Sequence, residues 1–196
     1  MEDIAILLLA AGASSRMRGG DKLLEGIDGV ALLRRQALMA LSSGYPVWVA
    51  LPLDRPARLA ALEGLDLSFV TVAEAREGMA ASIRAGIAAL PPAMRAVVVV
   101  PADMPEITAQ DLVAVIAGFD GQSLVQGCSA AGDPGHPVLF PSRVFADLLA
   151  LRGDRGARSV VQAQHVIPVV LPDRHALTDL DTPEDWAAWR AARAGR

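Results

Sequence analysis

Residues 4–24 read IAILLLAAGASSRMRGGDKLL, and the fold turns on this stretch. From Ile4 to Ala11 the run is wholly apolar, as in a strand buried on both faces, and it then meets Gly12. Past the glycine the chain turns small, polar and basic, with Ser14, Ser15, Arg16, Arg18, Gly19, Gly20 and Lys22. Backbone N–H groups beside a residue without Cβ approach an anion closely, and Arg and Lys neutralise it, so such a loop suits a phosphate chain. A plain polar link between a strand and a helix would look the same. By itself the stretch weighs equally for both.

The rest of the chain sets that strand in an alternating series. Apolar residues at 30, 33, 37, 38 and 41 recur at helical spacing until Ser42-Ser43-Gly44 ends them. The β-branched run at 46–51 predicts a second strand. Asp54 is positioned to cap a short helix reaching Leu62, and 67–72 reads as a third strand. Met79, Ile83, Ile87 and Leu90 mark a helix that Pro91-Pro92 stops. Residues 96–100, AVVVV, lack polar alternation, as a central strand of a parallel sheet does, and they lead into Pro101-Ala102-Asp103-Met104-Pro105. Thr108 and Asp111 have capping-box spacing for a helix ending near Gly118.

Two short strands, 123–126 and 137–140, flank the loop 127–136, and 141–151 reads as helix. A short helix follows 153–156, and 165–171 is a strand that Pro168 places at an edge or a bulge. Thr182-Pro183-Glu184-Asp185 supplies an N-cap, a proline at the first helical position and an acidic first turn; Trp186 and Trp189 anchor that last helix. The series predicts an α/β protein, a three-layer α/β/α sandwich around a mostly parallel central sheet.

With 196 residues the chain is expected to form one domain, 1–196. No run approaches the roughly 18 apolar residues of a membrane span, so no membrane partner is expected and the apolar residues are core material. The acidic start Met1-Glu2-Asp3 lacks the basic flank of a secretion signal, and a lone Cys128 excludes an internal disulfide; both fit a cytoplasmic protein. A net charge of −4 argues against nucleic acid, so any polyanion must be small and gripped locally.

Asp103 is the sharpest candidate for chemistry. It stands at the carboxyl end of the most buried-looking strand, and ligands of open α/β sheets bind beyond such ends. A carboxylate beside a phosphate loop repels the phosphates unless a cation stands between, and Mg²⁺ takes one or two carboxylates while water and phosphate fill its other positions. Asp179 and Asp181 form a second acidic site. Alternation along an extended piece puts both carboxylates on one face and Leu180 on the other, and Thr182 already serves as the cap. The small residues of Gly78-Met79-Ala80-Ala81-Ser82 open a helix N-terminus to an anion or a base edge, and they suit close helix packing equally well. No His or Cys cluster has zinc spacing, no Ser/His/Asp arrangement is visible, and the first loop matches neither the dinucleotide-binding nor the P-loop pattern.

Leu9-Ala10-Ala11-Gly12, Ser15-Arg16-Met17, Asp21-Lys22-Leu23-Leu24 and the strand ending in Asp103-Met104-Pro105 together resemble the signature of the MobA-like nucleotidyltransferases. Gly135-His136-Pro137, the run from Gly153 to Arg158 and the run from Asp179 to Asp185 look like the molybdenum cofactor cytidylyltransferases (MocA-like) in particular. The resemblance implies a Rossmann-like nucleotidyltransferase fold and transfer of CMP from CTP to the terminal phosphate of molybdopterin, with release of pyrophosphate. It implies a nucleotide along Leu9, Ala10, Ala11 and Gly12 with Gly78 and Ser82, Arg16 and Lys22 on the triphosphate, and Mg²⁺ on Asp103 and Asp181. Arg16, Lys22 and Asp103 would be the catalytic set. The acceptor would meet His136, Arg155 and Arg158, and the product would pass to a molybdoenzyme or its chaperone. The double alanine before Gly12 looks cytidylyl-like, whereas Gly19-Gly20-Asp21-Lys22 is spaced as in the guanylyltransferases; GTP, or another small phosphorylated acceptor, stays open, as does a cofactor-binding chaperone without catalysis.

Overall fold

The computed structural model describes residues 3–153 and 156–195. Along the chain run β1 (Ile4–Leu9), β2 (Gly26–Ile27), β3 (Val30–Ala31), α1 (Leu32–Leu41), β4 (Val47–Pro52), α2 (Pro56–Ala60), β5 (Ser68–Val72) and α3 (Met79–Ala89). There follow β6 (Ala96–Pro101), α4 (Ala109–Ala117), β7 (Leu124–Cys128), β8 (Pro134–Pro141), α5 (Phe145–Leu149), α6 (Arg158–Gln162), β9 (Val166–Val170) and α7 (Pro183–Ala194).

Seven strands form one sheet in the order β5-β4-β1-β6-β8-β7-β9, while β2 and β3 make a separate small hairpin. Only β8 runs against the rest, pairing antiparallel with β6 and β7. The parallel register of β1 on β6, Leu9 opposite Pro101, brings the chain out of both strands at one edge. Every residue of β6 is buried, as its unbroken apolar run requires.

Strand alternation divides the core in two. Ile6, Leu8, Val98 and Val100 face a layer built from α1, α4 and α7; Ala5, Leu7, Val97 and Val99 face α3, α5 and α6. Gly86 lets α3 lie close on the sheet, since a Cβ there would stand 2.3 Å from the Leu7 side chain. The predicted capping box of Thr108 with Asp111 forms, the predicted N-cap Thr182 makes a box with Asp185 as well, and Trp186 of α7 is buried. β9, with Pro168, takes the sheet edge as expected. The result is the Rossmann-like α/β/α sandwich, and among the described residues no helix is long and apolar enough to cross a membrane.

The expected loop 127–136 is shorter, since β7 reaches Cys128 and β8 begins at Pro134, and two further local expectations fail. Asp54 does not cap α2: the N-cap is Arg55, whose side chain makes no capping bond, and Pro56 at the first position starts the turn instead. The helix expected over 141–151 is only α5, because residues to Pro141 are drawn into β8 by pairing with β6 and a 3-10 turn intervenes. Both are cases of tertiary pairing or proline geometry overriding a local signal.

Candidate active site

The order of the sheet reverses between β1 and β6, since the chain steps from β1 out to β4 and β5 and later returns to β6. The crevice beyond the carboxyl ends at such a point is where open α/β sheets bind ligands. Here it is a cleft of about 600 Å³ that runs from Gly12 to Asp181. A smaller cleft of about 360 Å³ continues past Gly12 and Ala13 over Pro52 and Val72.

Asp103 follows β6, and its carbonyl accepts the Leu180 N–H at 3.0 Å. That backbone bond brings the segment before α7 across the sheet edge. Leu180 turns into the core, and Asp179 and Asp181 face the cleft, as the alternation predicts. Lys22 donates to Asp103 Oδ2 and, at 2.6 Å, to Asp181 Oδ1; Arg16 Nη1 lies 2.6 Å from Asp181 Oδ2. Arg16, Asp181, Lys22 and Asp103 thus form a row of alternating charges on the cleft wall. Burial opposes the charge on Lys22, but the two carboxylates outweigh it and hold the ammonium above the usual lysine range.

Among the described residues no three His, Cys, Asp or Glu side chains are placed to hold a metal. Asp103 and Asp181 are a pair, which suffices for Mg²⁺ when water and phosphate complete its shell. Asp103 Oδ1 is buried with no hydrogen-bond partner, a hard acceptor still to be satisfied. The donor set fits a hard divalent cation. Burial, then the charges of Asp181 and Asp103, push the Asp179 carboxyl up.

His136 borders the same cleft, with Nδ1 buried and unpartnered. Burial pushes its imidazole down, against the pull of Asp103 and the Val99 backbone, which keeps the ring neutral near pH 7. Gly135 permits this arrangement: a Cβ there would stand 1.9 Å from Ala176 O, and the His136 N–H donates to that same carbonyl at 2.9 Å. Gly78, at φ 115°, begins α3, and it and Ser82 both line the cleft.

Of the residues expected at the site, Leu9, Ala11, Gly12, Arg16, Lys22, Gly78, Ser82, Asp103, His136 and Asp181 come together. Ala10 does not: it is buried, its N–H donates to Ala50 O and its carbonyl accepts from Arg58. Arg158 is exposed at the start of α6 and lies off the cleft wall. Arg155 lies outside the described residues. Unforeseen from the sequence are Arg76, which borders both clefts, and the buried Arg58, which grips the first loop from below.

Residues 6–168 match the family model described as the MobA-like NTP transferase domain. The chain belongs to that family. It is therefore an enzyme, a nucleotidyltransferase that takes an NTP, and the reading of a carrier without catalysis falls away. Among solved structures it is similar to Rv0371c from Mycobacterium tuberculosis H37Rv, at 27% identity and a TM-score of 0.85, with 96% of this chain and 97% of that one covered. A nucleotidyl transferase from Methanothermobacter thermautotroptrophicus shares the fold at 20% identity and a TM-score of 0.84, with 98% of each chain covered. So does molybdopterin-guanine dinucleotide biosynthesis protein A from Archaeoglobus fulgidus, at 15% identity and a TM-score of 0.71, covering 98% of this chain and 100% of that one. No curated protein matches the sequence.

Proposed function

We propose that this MobA-like transferase, acting as one catalytic domain, moves CMP from CTP to the terminal phosphate of a molybdopterin-type acceptor and releases pyrophosphate. The row Arg16–Asp181–Lys22–Asp103 beside Gly12 carries the reading. Two cations and two carboxylates stand together there on one cleft wall, which supports a site for a polyphosphate with Mg²⁺. Gly12 supports the nucleotide's path. A Cβ there would meet nothing within 4 Å, so the protein's own packing does not require a glycine, whereas a ligand pressed on the backbone would.

A phosphate monoester, with a second pKa near 6, is already largely ionised at neutral pH and attacks without a general base. Lys22 and Arg16 would hold the triphosphate and offset the charge that gathers on departing pyrophosphate. Asp103 and Asp181 would hold Mg²⁺, which when bound supplies further charge neutralisation at the reacting phosphates. His136, neutral and facing the same cleft, would border the acceptor. Catalysis then rests on alignment and charge, not on proton transfer.

The test is pyrophosphate release with each of the four NTPs, with and without the molybdenum cofactor. CTP with the cofactor is expected to turn over. Asp103→Asn is expected to fold and to lose roughly 10²–10³-fold or more in rate. Turnover with GTP instead would follow the Gly19-Gly20-Asp21-Lys22 spacing and move the protein to the guanylyl branch. No turnover with any nucleotide and that acceptor would remove the molybdopterin reading.

A further inference from the structure

We infer that Arg58 is a positioning residue for the nucleotide, setting the distance between the two ends of the phosphate loop; the inference rests on the placement of the nucleotide along residues 11–22. Arg58 belongs to α2, outside the cleft, and is fully buried. Its guanidinium reaches three separate points of the loop. Nη1 donates to Ala10 O at 2.6 Å, Nη2 to Ser14 Oγ at 3.1 Å and to Asp21 Oδ1 at 2.9 Å, and Nε to Asp21 Oδ2 at 2.8 Å. Arg55, one helical turn earlier, adds Nη1 to Asp21 Oδ2 at 3.2 Å and Nη2 to Ala13 O at 2.9 Å. Burial alone would raise the Asp21 carboxyl, yet the two arginines and the Leu23 N–H hold it below the usual range, so it stays charged as the hub.

These contacts give Arg58 a geometric task. Ala10 O fixes the chain just before Gly12, and Asp21 stands next to Lys22. One rigid planar fork therefore spans from the backbone that meets the nucleotide to the ammonium that meets its phosphates. The loop needs such holding: Ser14 and Arg18 are non-glycine residues at φ 53° and 52°, a left-handed conformation that the chain does not favour unaided. A buried ion pair adds little stability over well-packed apolar side chains of similar volume, so stability alone does not account for this one. A lysine would substitute only in part, because it keeps the charge but lacks the planar set of donors that reaches all three points.

The experiment measures equilibrium binding of Mg·CTP and Mg·GTP by calorimetry, together with melting temperature. The proteins are wild type, Arg58→Lys and the double variant Asp21→Leu/Arg58→Met. The double variant removes both buried charges and keeps apolar volume but leaves Ala10 O and the Leu23 N–H without these partners, so it is expected to fold, to melt several degrees below wild type and to bind nucleotide about ten- to a hundredfold more weakly. Arg58→Lys, which still neutralises Asp21, is expected to recover part of that affinity. A folded double variant with wild-type affinity overturns the inference, because a merely structural role predicts that affinity returns with stability. If the double variant does not fold, Arg58→Lys decides by the same readout, and wild-type affinity there overturns it equally. A wild type that binds neither nucleotide would overturn the nucleotide placement itself, a failure visible before any variant is made.

Discussion

Replacing Lys22 by methionine keeps the apolar stem and removes the ammonium that Asp103 and Asp181 share. The lysine side chain is 11% exposed and each carboxylate 16%, so none of the three is well solvated. At an effective dielectric near 20, a unit ion pair about 2.6 Å apart attracts by roughly 6 kcal/mol before the cost of desolvation. Measured losses on breaking such a pair run at about 3–5 kcal/mol. The lower end, ~3 kcal/mol, applies here because Arg16 still neutralises Asp181. For a chain of this length each kcal/mol moves Tm by about 2–4 °C, so the variant is expected to melt ~6–12 °C below wild type. If the carboxylates hold a divalent cation as proposed, Mg²⁺ or Mn²⁺ should take over the neutralising role in the variant. At about 100 times Kd it would return ~2.7 kcal/mol, nearly the whole loss. Wild type should gain far less from the metal alone, because Lys22 must first be displaced. The assay is thermal and denaturant unfolding of both proteins with and without millimolar metal. A variant as stable as wild type, or one that melts low and ignores both metals, would refute the reasoning.

Three further outcomes are expected. Gly12→Ala should leave Tm within a degree or two, since its Cβ meets nothing, while nucleotide KM rises roughly tenfold, about 1.4 kcal/mol of binding; unchanged KM would remove Gly12 from the nucleotide path. Gly135→Ala should behave in the opposite way, losing about 1–3 kcal/mol of stability because the new Cβ overlaps Ala176 O, and losing transfer because Asp181 lies on the same returning segment. The third concerns acid. Arg84, then the Gly153 N–H, draw the Glu77 carboxyl down to about 2, so its contribution to stability is present above about 4.5 and is lost as pH falls toward 2. Glu77→Gln should therefore flatten the fall of stability between those values, as read by denaturant titration; an unaltered profile would count against that pairing.

Much of the fold was legible because its signals are local. The wholly apolar runs of β1 and β6 announce strands covered on both faces, and the series of strands and helices between them leaves few topologies. Thr108 with Asp111 and Thr182 with Asp185 form their caps because both partners lie within one turn of the chain. The place of Asp103 on the cleft was readable for the same reason, since it is the first charged residue after the central strand. Asp54 misled because an acidic residue before a proline satisfies the composition of a cap without its geometry. Ala10 misled because its neighbours Leu9, Ala11 and Gly12 do line the cleft, and only the packing shows its carbonyl turned to Arg58.

By itself, then, the sequence determined the sandwich and brought out several of the residues that line the cleft at one sheet edge. The tertiary structure alone decided how the charges of Ile4–Leu24 are used. Lys22 and Asp181 stand 159 positions apart, and they meet because Leu180 bonds to the backbone of Asp103 and carries its neighbour across the sheet edge. Arg58 shows the same limit: within RPARLA it reads as one more surface arginine, and only burial behind the loop makes it a brace. Periodicity and capping are short-range and can be read along the chain. Pairing between distant charges depends on which strands become neighbours, and that is settled only when the whole sheet has formed.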